Sequence, residues 1–393
     1  MSEHVGQEVV AALRDLLPVL GERAQETEDA RSVPVESIKA LEETGFFRLL
    51  QPVRFGGHEA DPVTFLTAVR LIASACGSTG WVSSVVGVHP WQLALFPLLA
   101  QEEVWGADPS TRMSSSYAPT GRAEAVDGGH LLTGRWSFSS GCDHASWALL
   151  GGIAADADGK PADFRTFLLP YRDYMIHDVW DTVGLRGTSS NDIVVDGAFV
   201  PEYRSLSFTG VSRCACPGQE ANPAPLYRLP FGSVYSYAIT TPIIGMATGA
   251  YAAHVAYQRE RVRASYVGQK AAQDPFAQVR VAEAAAELDA AWLALERNMT
   301  ELMTHARAAE KIPVPLRLRV RRDQVRGTAQ AISAVDLLFE NSGGRALRTG
   351  TPIQRFWRDA HAGRVHAIND PERALSMFGR GEFGLEVPPD AML

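Results

Sequence analysis

Two histidines near the C-terminal end stand in a dense run of aromatic and polar residues, "FWRDAHAGRVHAIND", residues 356–370. On one helix at about 3.6 residues per turn, His361 and His366 lie roughly 140° apart and face different ways. Asp359 and His366, seven positions apart, share a face. One histidine is therefore placed beside an acidic group, and a histidine titrating near neutrality is the usual side chain for moving a proton. His361, on the other face, reads as structural. Arg358 and Asp359 read as an internal salt bridge that fixes the helix. A second pair sits earlier, in "GWVSSVVGVHPW": Trp81 and His89 are eight apart, a little over two turns, so both can line one cavity. His144, in "SGCDHASW", either flanks a site or caps a turn.

What is missing narrows the chemistry. The chain has no GxGxxG after a strand and no GxxxxGK[ST] loop, which counts against a Rossmann nicotinamide site and P-loop phosphotransfer. It has no GxSxG elbow and no HExxH, which counts against the matching hydrolases. A formal charge of −8 gives no support to nucleic-acid or anionic-membrane binding. The basic run at 317–328 reads as a solvated helix face or a subunit contact. Cys76, Cys142, Cys214 and Cys216 are too few for a disulfide scaffold in 393 residues. The Cys214–Cys216 pair has no second Cys/His pair nearby, so no metal site is expected. "MSEHVGQEVV" lacks the basic and apolar regions of a signal peptide. The longest apolar stretch, "VVGVHPWQLALFPLLA", is broken by His89, Pro90 and Pro97, which argues against a membrane span. A reduced, cytoplasmic protein is expected.

The elements that must position these residues fall in three zones. Residues 1–111 carry three- and four-residue apolar spacing, as in "VGQEVVAALRDLLPVLGERA", and read as an N-terminal helical domain. From 112 to 230 the period becomes two. "HLLTGRWSFSSG", "FRTFLLP" and "NDIVVDGAFVP" read as strands of a small antiparallel β-domain, a barrel or sandwich, with an Asp-Gly-Gly turn after Val126. Its end, 207–230, is rich in proline and reads as a lid-like loop. From 231 to 393 long Ala-rich helices return and read as a C-terminal bundle. The fold class is mainly α with a middle β-domain.

This order of pieces resembles the acyl-CoA dehydrogenase fold, from about residue 15 to 380. "VGLRGTSSNDIVVDGAFVP" (183–201) is similar to the family's stretch leading out of the β-domain, and is the most specific match. "WSFSSG" (136–141) is similar to the strand that contacts the flavin ring. "NSGGRA" (341–346) with "RFWRDAHA" (355–362) is similar to the family's Gly-Gly turn and Arg-Asp helix. One departure matters. The dehydrogenases carry a catalytic glutamate and a Gly-Thr just after that helix; here neither appears, and His366 stands in roughly that place. With His89 in the first helical domain, the chain resembles the flavin-dependent monooxygenases on this fold. These are oxygenase components of two-component aromatic hydroxylases, such as p-hydroxyphenylacetate hydroxylase.

The resemblance implies an enzyme that takes reduced FMN or FAD from a separate NAD(P)H-flavin reductase. With O2 it would form a C4a-hydroperoxyflavin and hydroxylate a phenolic or polyketide-type aromatic substrate. The alternatives are an FAD desaturase of the dehydrogenase type and an N- or S-oxidising monooxygenase. A homotetramer is implied. His366, first, and His89, second, are the implied bases; both would flank the substrate, with Tyr117. Trp81, Ser115, Phe138, Ser139 and Ser140 are implied at the flavin, and Trp81, Trp91, Phe138 and Trp147 would supply apolar walls that keep water from a reactive intermediate. Arg263, of Arg259, Arg261 and Arg263, is implied at the flavin phosphate. Gly343 and Gly344 would let backbone approach the flavin. Residues 207–230 and 267–275 would shape the pocket.

Overall fold

Three- and four-residue apolar spacing folds the first stretch into helices. The computed structural model describes residues 2–155, 161–263 and 268–387. Its first helices are α1 (Ser2–Glu22), α2 (Ala24–Ala30), α3 (Val35–Glu43), α4 (Pro62–Ala75), α5 (Gly77–Leu93) and α6 (Leu98–Trp105). α4 starts where the Val63 N–H donates to Asp61, 2.9 Å away, with Pro62 in the first helical position. That satisfies a donor the helix itself cannot. α5 follows directly after Cys76, and all its residues are buried. A helix small or apolar on every side belongs in the interior, so α5 takes Trp81 and His89 inside.

The middle of the chain forms β1 (Met113–Val126), β2 (Gly129–Ser139), β3 (Trp147–Ala155), β4 (Pro161–Pro170), β5 (Met175–His177), β6 (Asn191–Pro201) and β7 (Ser205–Ser207). They build one sheet in the order β5-β6-β2-β1-β3-β4-β7. The expected turn joins β1 to β2: Val126 pairs with Gly129, and Gly128 takes φ 75°. The sheet is mixed, not purely antiparallel. β3 runs parallel to β1, with Met113 opposite Trp147. The β1–β2 hairpin occupies one edge of β1, and the turn at Cys142–His144 brings the chain back to the start of the other edge, where the Ser146 N–H donates to the Arg112 carbonyl at 3.1 Å. Period two then divides the side chains. Ala148, Leu150, Phe167 and Leu169 join Trp136 and Ile193 in a core of the sheet's own. Leu149 and Leu168 face the other way, into the main helical core.

Residues 207–230 are not an open loop. They form α7 (Phe208–Ser212) and α8 (Gly218–Ala221). The Gly218 N–H donates to the Leu95 carbonyl at 2.9 Å and Asn222 Nδ2 to the Ala94 carbonyl at 2.9 Å. The segment is thereby pinned to the end of the first helical region. α9 (Phe231–Glu260) follows, then the short hairpin β8 (Val262–Arg263) and β9 (Gln269–Lys270). α10 (Pro275–Arg307), α11 (Val314–Ser342), α12 (Pro352–Arg364) and α13 (Pro371–Glu382) complete the bundle. α9 is its centre, packing on α4 and α5 on one side and on α10, α11 and α12 on the other. Among the described residues no helix is long and apolar enough to cross a membrane.

Candidate active site

α5 and α9 bring five aromatic rings into one chain of contacts. Trp81 lies 6.1 Å from His366, His366 lies 6.5 Å from Tyr235, Tyr235 lies 5.1 Å from Tyr117, and Tyr117 lies 6.4 Å from His89, measured between ring centroids. Phe231 stacks on Tyr235 at 5.2 Å. The Ser115 hydroxyl lies beside the phenols of Tyr117 and Tyr235 and favours their ionised forms slightly. Burial pushes the Tyr235 phenol up to about 12 and the Tyr117 phenol well above its ordinary value, so both stay neutral.

The two ends of this chain differ. His366 is half-buried, yet it lies deep enough that burial, helped by the nearby Arg321 cation, pushes its imidazole down to about 4. His89 is wholly enclosed, and burial pushes it down to about 3. Tyr117, itself partly open, donates to Gln92 Oε1, so its oxygen accepts from His89 Nδ1 at 3.4 Å. His89 Nε2 then carries no proton, and it has no partner. Trp81 and His89 therefore do not line one cavity side by side; His89 stands behind Tyr117.

Three readings of the 356–370 stretch are corrected. α12 ends at Arg364, where Asn369 Nδ2 donates to the Gly363 carbonyl at 3.0 Å and closes the helix end. His366 opens the next short turn, and its Nδ1 accepts from the Ile368 N–H at 3.2 Å. It never shares a helical face with Asp359. With Nδ1 occupied, the proton of the neutral ring sits on Nε2. The expectation of a base titrating near neutrality does not fit a group held at about 4. Asp359, for its part, does not pair with Arg358. It accepts from the Leu185 N–H at 2.6 Å, and a Cβ on Gly77 at the start of α5 would sit 2.6 Å from its Oδ2. Arg358 and Arg355 both hold Glu28 of α2 instead. Asp359 thus ties α12, the 183–190 segment and α5 together. Burial pushes its carboxyl up to about 6.

The serines separate by the pleat of β2. Ser139 is fully buried and donates to Ser114 at 3.0 Å, away from the aromatic chain. Ser140 accepts from Trp81 Nε1 at 3.1 Å and shares a proton with Ser190 at 2.7 Å. Between Trp136 and Ser139 the β2 register slips, and Phe138 there takes φ 68°. A left-handed phenylalanine costs on the order of 1–3 kcal/mol and marks a position shaped for something other than stability. Its ring is 69% exposed, edge-on to Trp180 at 6.1 Å. Phe138 is thus an outer ledge beside Ser140, not an interior wall. Trp91 lies behind Phe231 and donates to the Leu226 carbonyl at 2.8 Å. Trp147 lies under Arg204, outside the chain of rings.

The backbone of Arg263 pairs with Gln269, and its side chain lies outside the described residues, as do residues 264–267. Arg261 is half-buried and donates to the Asn341 carbonyl at 2.9 Å. Gly343, at φ 70°, makes room for it: a Cβ there would sit 2.4 Å from Arg261 Nη2. That glycine is filled by arginine rather than left open for a ligand. Gly344 has open space around it. His144 meets Ser32 and packs in the turn after β2. The basic run is not one solvated face: Arg321 is buried against Gln324 and the Ile368 carbonyl, Arg322 is half-buried and binds Asp323, and Arg326 is exposed.

Sequence reasoning missed Tyr235, Gln92, Thr188, Ser190 and Arg321. The signal for Tyr235 was the start of α9, where Ser233, Ser236, Tyr237 and Thr240 are buried in a stretch that otherwise reads as core. A groove of about 650 Å³ lined by Arg165, Phe199, Tyr203 and Leu206 among others contains none of these residues.

Comparison with known proteins bears on the fold and the family. Residues 7–114 match the model of the acyl-CoA dehydrogenase N-terminal domain, and residues 237–371 that of the C-terminal domain. The chain is 60% identical to the flavin-dependent monooxygenase oxygenase subunit HsaA of Rhodococcus jostii (strain RHA1), over 95% of this chain and 97% of that one. It is 37% identical to the oxygenase component of the FADH(2)-dependent resorcinol hydroxylase of Rhizobium sp. (strain MTP-10005), over 92% and 91%. The solved structure of 3-HSA hydroxylase from Rhodococcus sp. RHA1 superposes with a TM-score of 0.95 at 59% identity, covering 98% of this chain and 99% of that one.

Proposed function

Since the chain belongs to the acyl-CoA dehydrogenase family, among the oxygenase subunits of flavin-dependent monooxygenases, we propose that His366 holds the phenolic oxygen of its substrate. The enzyme itself is the oxygenase component of a two-component aromatic hydroxylase that uses reduced flavin and O2. Reduced flavin, once bound, supplies the activation of O2. The residues fit that group: Phe138 offers an exposed ring at the slipped register of β2, and Ser140, just past the end of that strand, a hydroxyl beside it.

His366 carries the reading. With Tyr117 it is one of two partly open rings in the aromatic chain, and its Nε2–H is the one polar hydrogen that Ile368 leaves available. A neutral donor there holds the oxygen of a substrate that binds as its phenolate, its proton left to solvent, and the ionised oxygen raises electron density on the ring. His89 acts through Tyr117 as a positioning residue. Trp81, Tyr235 and Tyr117 exclude water, and Ser115 lies beside both phenols. Ser139 braces β2 through Ser114. Gly344 and Arg263 remain candidates for the phosphate end of the flavin.

FAD is the proposed flavin, following the FADH(2)-dependent relative, and 3-HSA the first substrate to test, following the 59% identical hydroxylase. A separate NAD(P)H-flavin reductase is the proposed partner. Exposed Phe276 and Leu293 on α10 suit burial between subunits of a homotetramer. Four free thiols suit the cytoplasm. Domain limits at 111/112 and 230/231 are proposed.

The test is His366→Ala, assayed with photoreduced FAD, O2 and 3-HSA. Loss of one preorganised donor predicts a fall in hydroxylation of about 100-fold, with flavin oxidation diverted to hydrogen peroxide. The parent should show no inflection near pH 6.5, because the histidine stays neutral. A variant that hydroxylates as fast as the parent across pH 6–9 removes His366 from the reaction.

A further inference from the structure

We propose that Thr188 and Ser190 are positioning residues that orient the Ser140 hydroxyl as an acceptor only, and that this acceptor selects reduced over oxidised flavin. The inference rests on the reading that Ser140 faces the flavin.

The argument follows protons along one file of oxygens. Thr188 Oγ1 lies 2.9 Å from the Leu185 carbonyl, Ser190 Oγ lies 2.7 Å from Thr188 Oγ1, and Ser140 Oγ lies 2.7 Å from Ser190 Oγ. A carbonyl only accepts. If the Thr188 proton pointed anywhere else, two oxygen lone pairs would face each other at 2.9 Å. Thr188 therefore donates to Leu185. Its oxygen is left to accept from Ser190, so the Ser190 oxygen must accept from Ser140. The single Ser140 proton is thus committed inward. On its other side Ser140 receives the Trp81 indole N–H, a group that only donates. Its backbone N–H is committed too, to the Phe138 carbonyl at 2.9 Å. What Ser140 presents outward is one oxygen lone pair.

That lone pair meets opposite partners in the two redox states of an isoalloxazine. The ring nitrogen between the two outer rings, N5, carries a hydrogen when reduced and a bare lone pair when oxidised. An acceptor-only oxygen binds the first and repels the second. The same serine without its inward file would rotate and serve both. An oxygenase fed reduced flavin by a separate protein gains from releasing the oxidised form.

Thr188→Val tests this with little loss of packing, because the Leu185 carbonyl keeps the Trp180 Nε1–H at 2.8 Å. Oxidised and photoreduced FAD are titrated anaerobically into the purified parent, Thr188→Val, Thr188→Ser, Ser190→Ala and Ser140→Ala. In Thr188→Val and Ser190→Ala, oxidised FAD should bind about tenfold tighter, the worth of one neutral hydrogen bond, while reduced FAD changes less than about twofold. The midpoint potential of the bound flavin then falls by about 30 mV. Thr188→Ser keeps the hydroxyl and should keep the parent's ratio. If Ser140→Ala alters the ratio but Thr188→Val and Ser190→Ala do not, the file is irrelevant and the proposal is overturned. If Ser140→Ala changes neither affinity, Ser140 does not face the flavin, and the underlying reading falls with it.

Discussion

Asp359→Asn should stabilise the protein increasingly as the pH rises, although Asp359 sits at the junction of three elements. In the folded chain burial lifts its carboxyl from the ordinary 3.8 to about 6, against the pull of the Leu185 N–H and Arg358. The folded state therefore binds the proton more tightly than the unfolded state. The stability this adds is complete below about pH 4 and is lost as the pH rises through about 6. Each factor of ten in proton affinity is about 1.4 kcal/mol, so the loss is about 3 kcal/mol by pH 7.5. Asparagine keeps an oxygen for the Leu185 N–H and has no charge to lose. The difference in stability, variant minus parent, should thus grow by about 3 kcal/mol between pH 4 and 7.5. For 393 residues the unfolding entropy is about 0.8 kcal/mol/K, which makes this about 4 °C in Tm. Parallel thermal melts at both pH values measure it, and the other titrating groups cancel in the difference. A gap that stays flat, or that shrinks as the pH rises, would mean that Leu185 and the start of α5 stabilise the carboxylate ion more than burial penalises it.

Two further substitutions separate the roles of neighbours. Trp81→Phe keeps a ring against His366 but removes the Nε1–H given to Ser140, a loss of about 1 kcal/mol; the expected outcome is more hydrogen peroxide per flavin oxidised, measured by peroxidase coupling, with the substrate's KM unchanged. Arg321→Met removes the cation that helps hold His366 down and strands the Ile368 carbonyl that Arg321 caps. His366 should then titrate higher, moving the acid limb of the kcat profile toward neutral pH, while the stranded carbonyl lowers Tm by an amount matching about 1–3 kcal/mol.

The fold was legible because its signals are long and repetitive. The shift from helical spacing to period two and back again falls where the elements change, and α10 spans the Ala-rich run that announces it. The parallel β1–β3 pair was not legible, because pairing partners depend on which edge a hairpin leaves free, and alternation says nothing about that. At the site, types were readable and geometry was not. Helical spacing placed His366 on Asp359's face only by assuming the helix continued. Asn369, five residues beyond the end of α12, is what stops it, by capping a carbonyl that sequence periodicity cannot see. Arg358 and Asp359 looked like a pair because they are adjacent, yet neighbours on a helix point about 100° apart, and each found its partner in a distant segment. Thr188 and Ser190 lay inside the most specific stretch of the sequence, but only their distances from Ser140 give them a task.

His366, which the resemblance to the dehydrogenases implies at their base position, is a ring that burial keeps neutral. Taking a proton from a substrate needs a base that is stabilised by being protonated. His366 is poor at that, since Arg321 and the apolar walls both oppose a second positive charge. It is suited to giving a hydrogen bond from Nε2 without changing its own charge. The same neutrality runs through Tyr117, Tyr235 and His89, whose ionised forms are all penalised by burial. A site that cannot readily ionise directs reactivity through the orientation of hydrogen bonds. That is why a hydroxyl's direction, at Ser140, carries as much weight in this chain as the identity of its histidines.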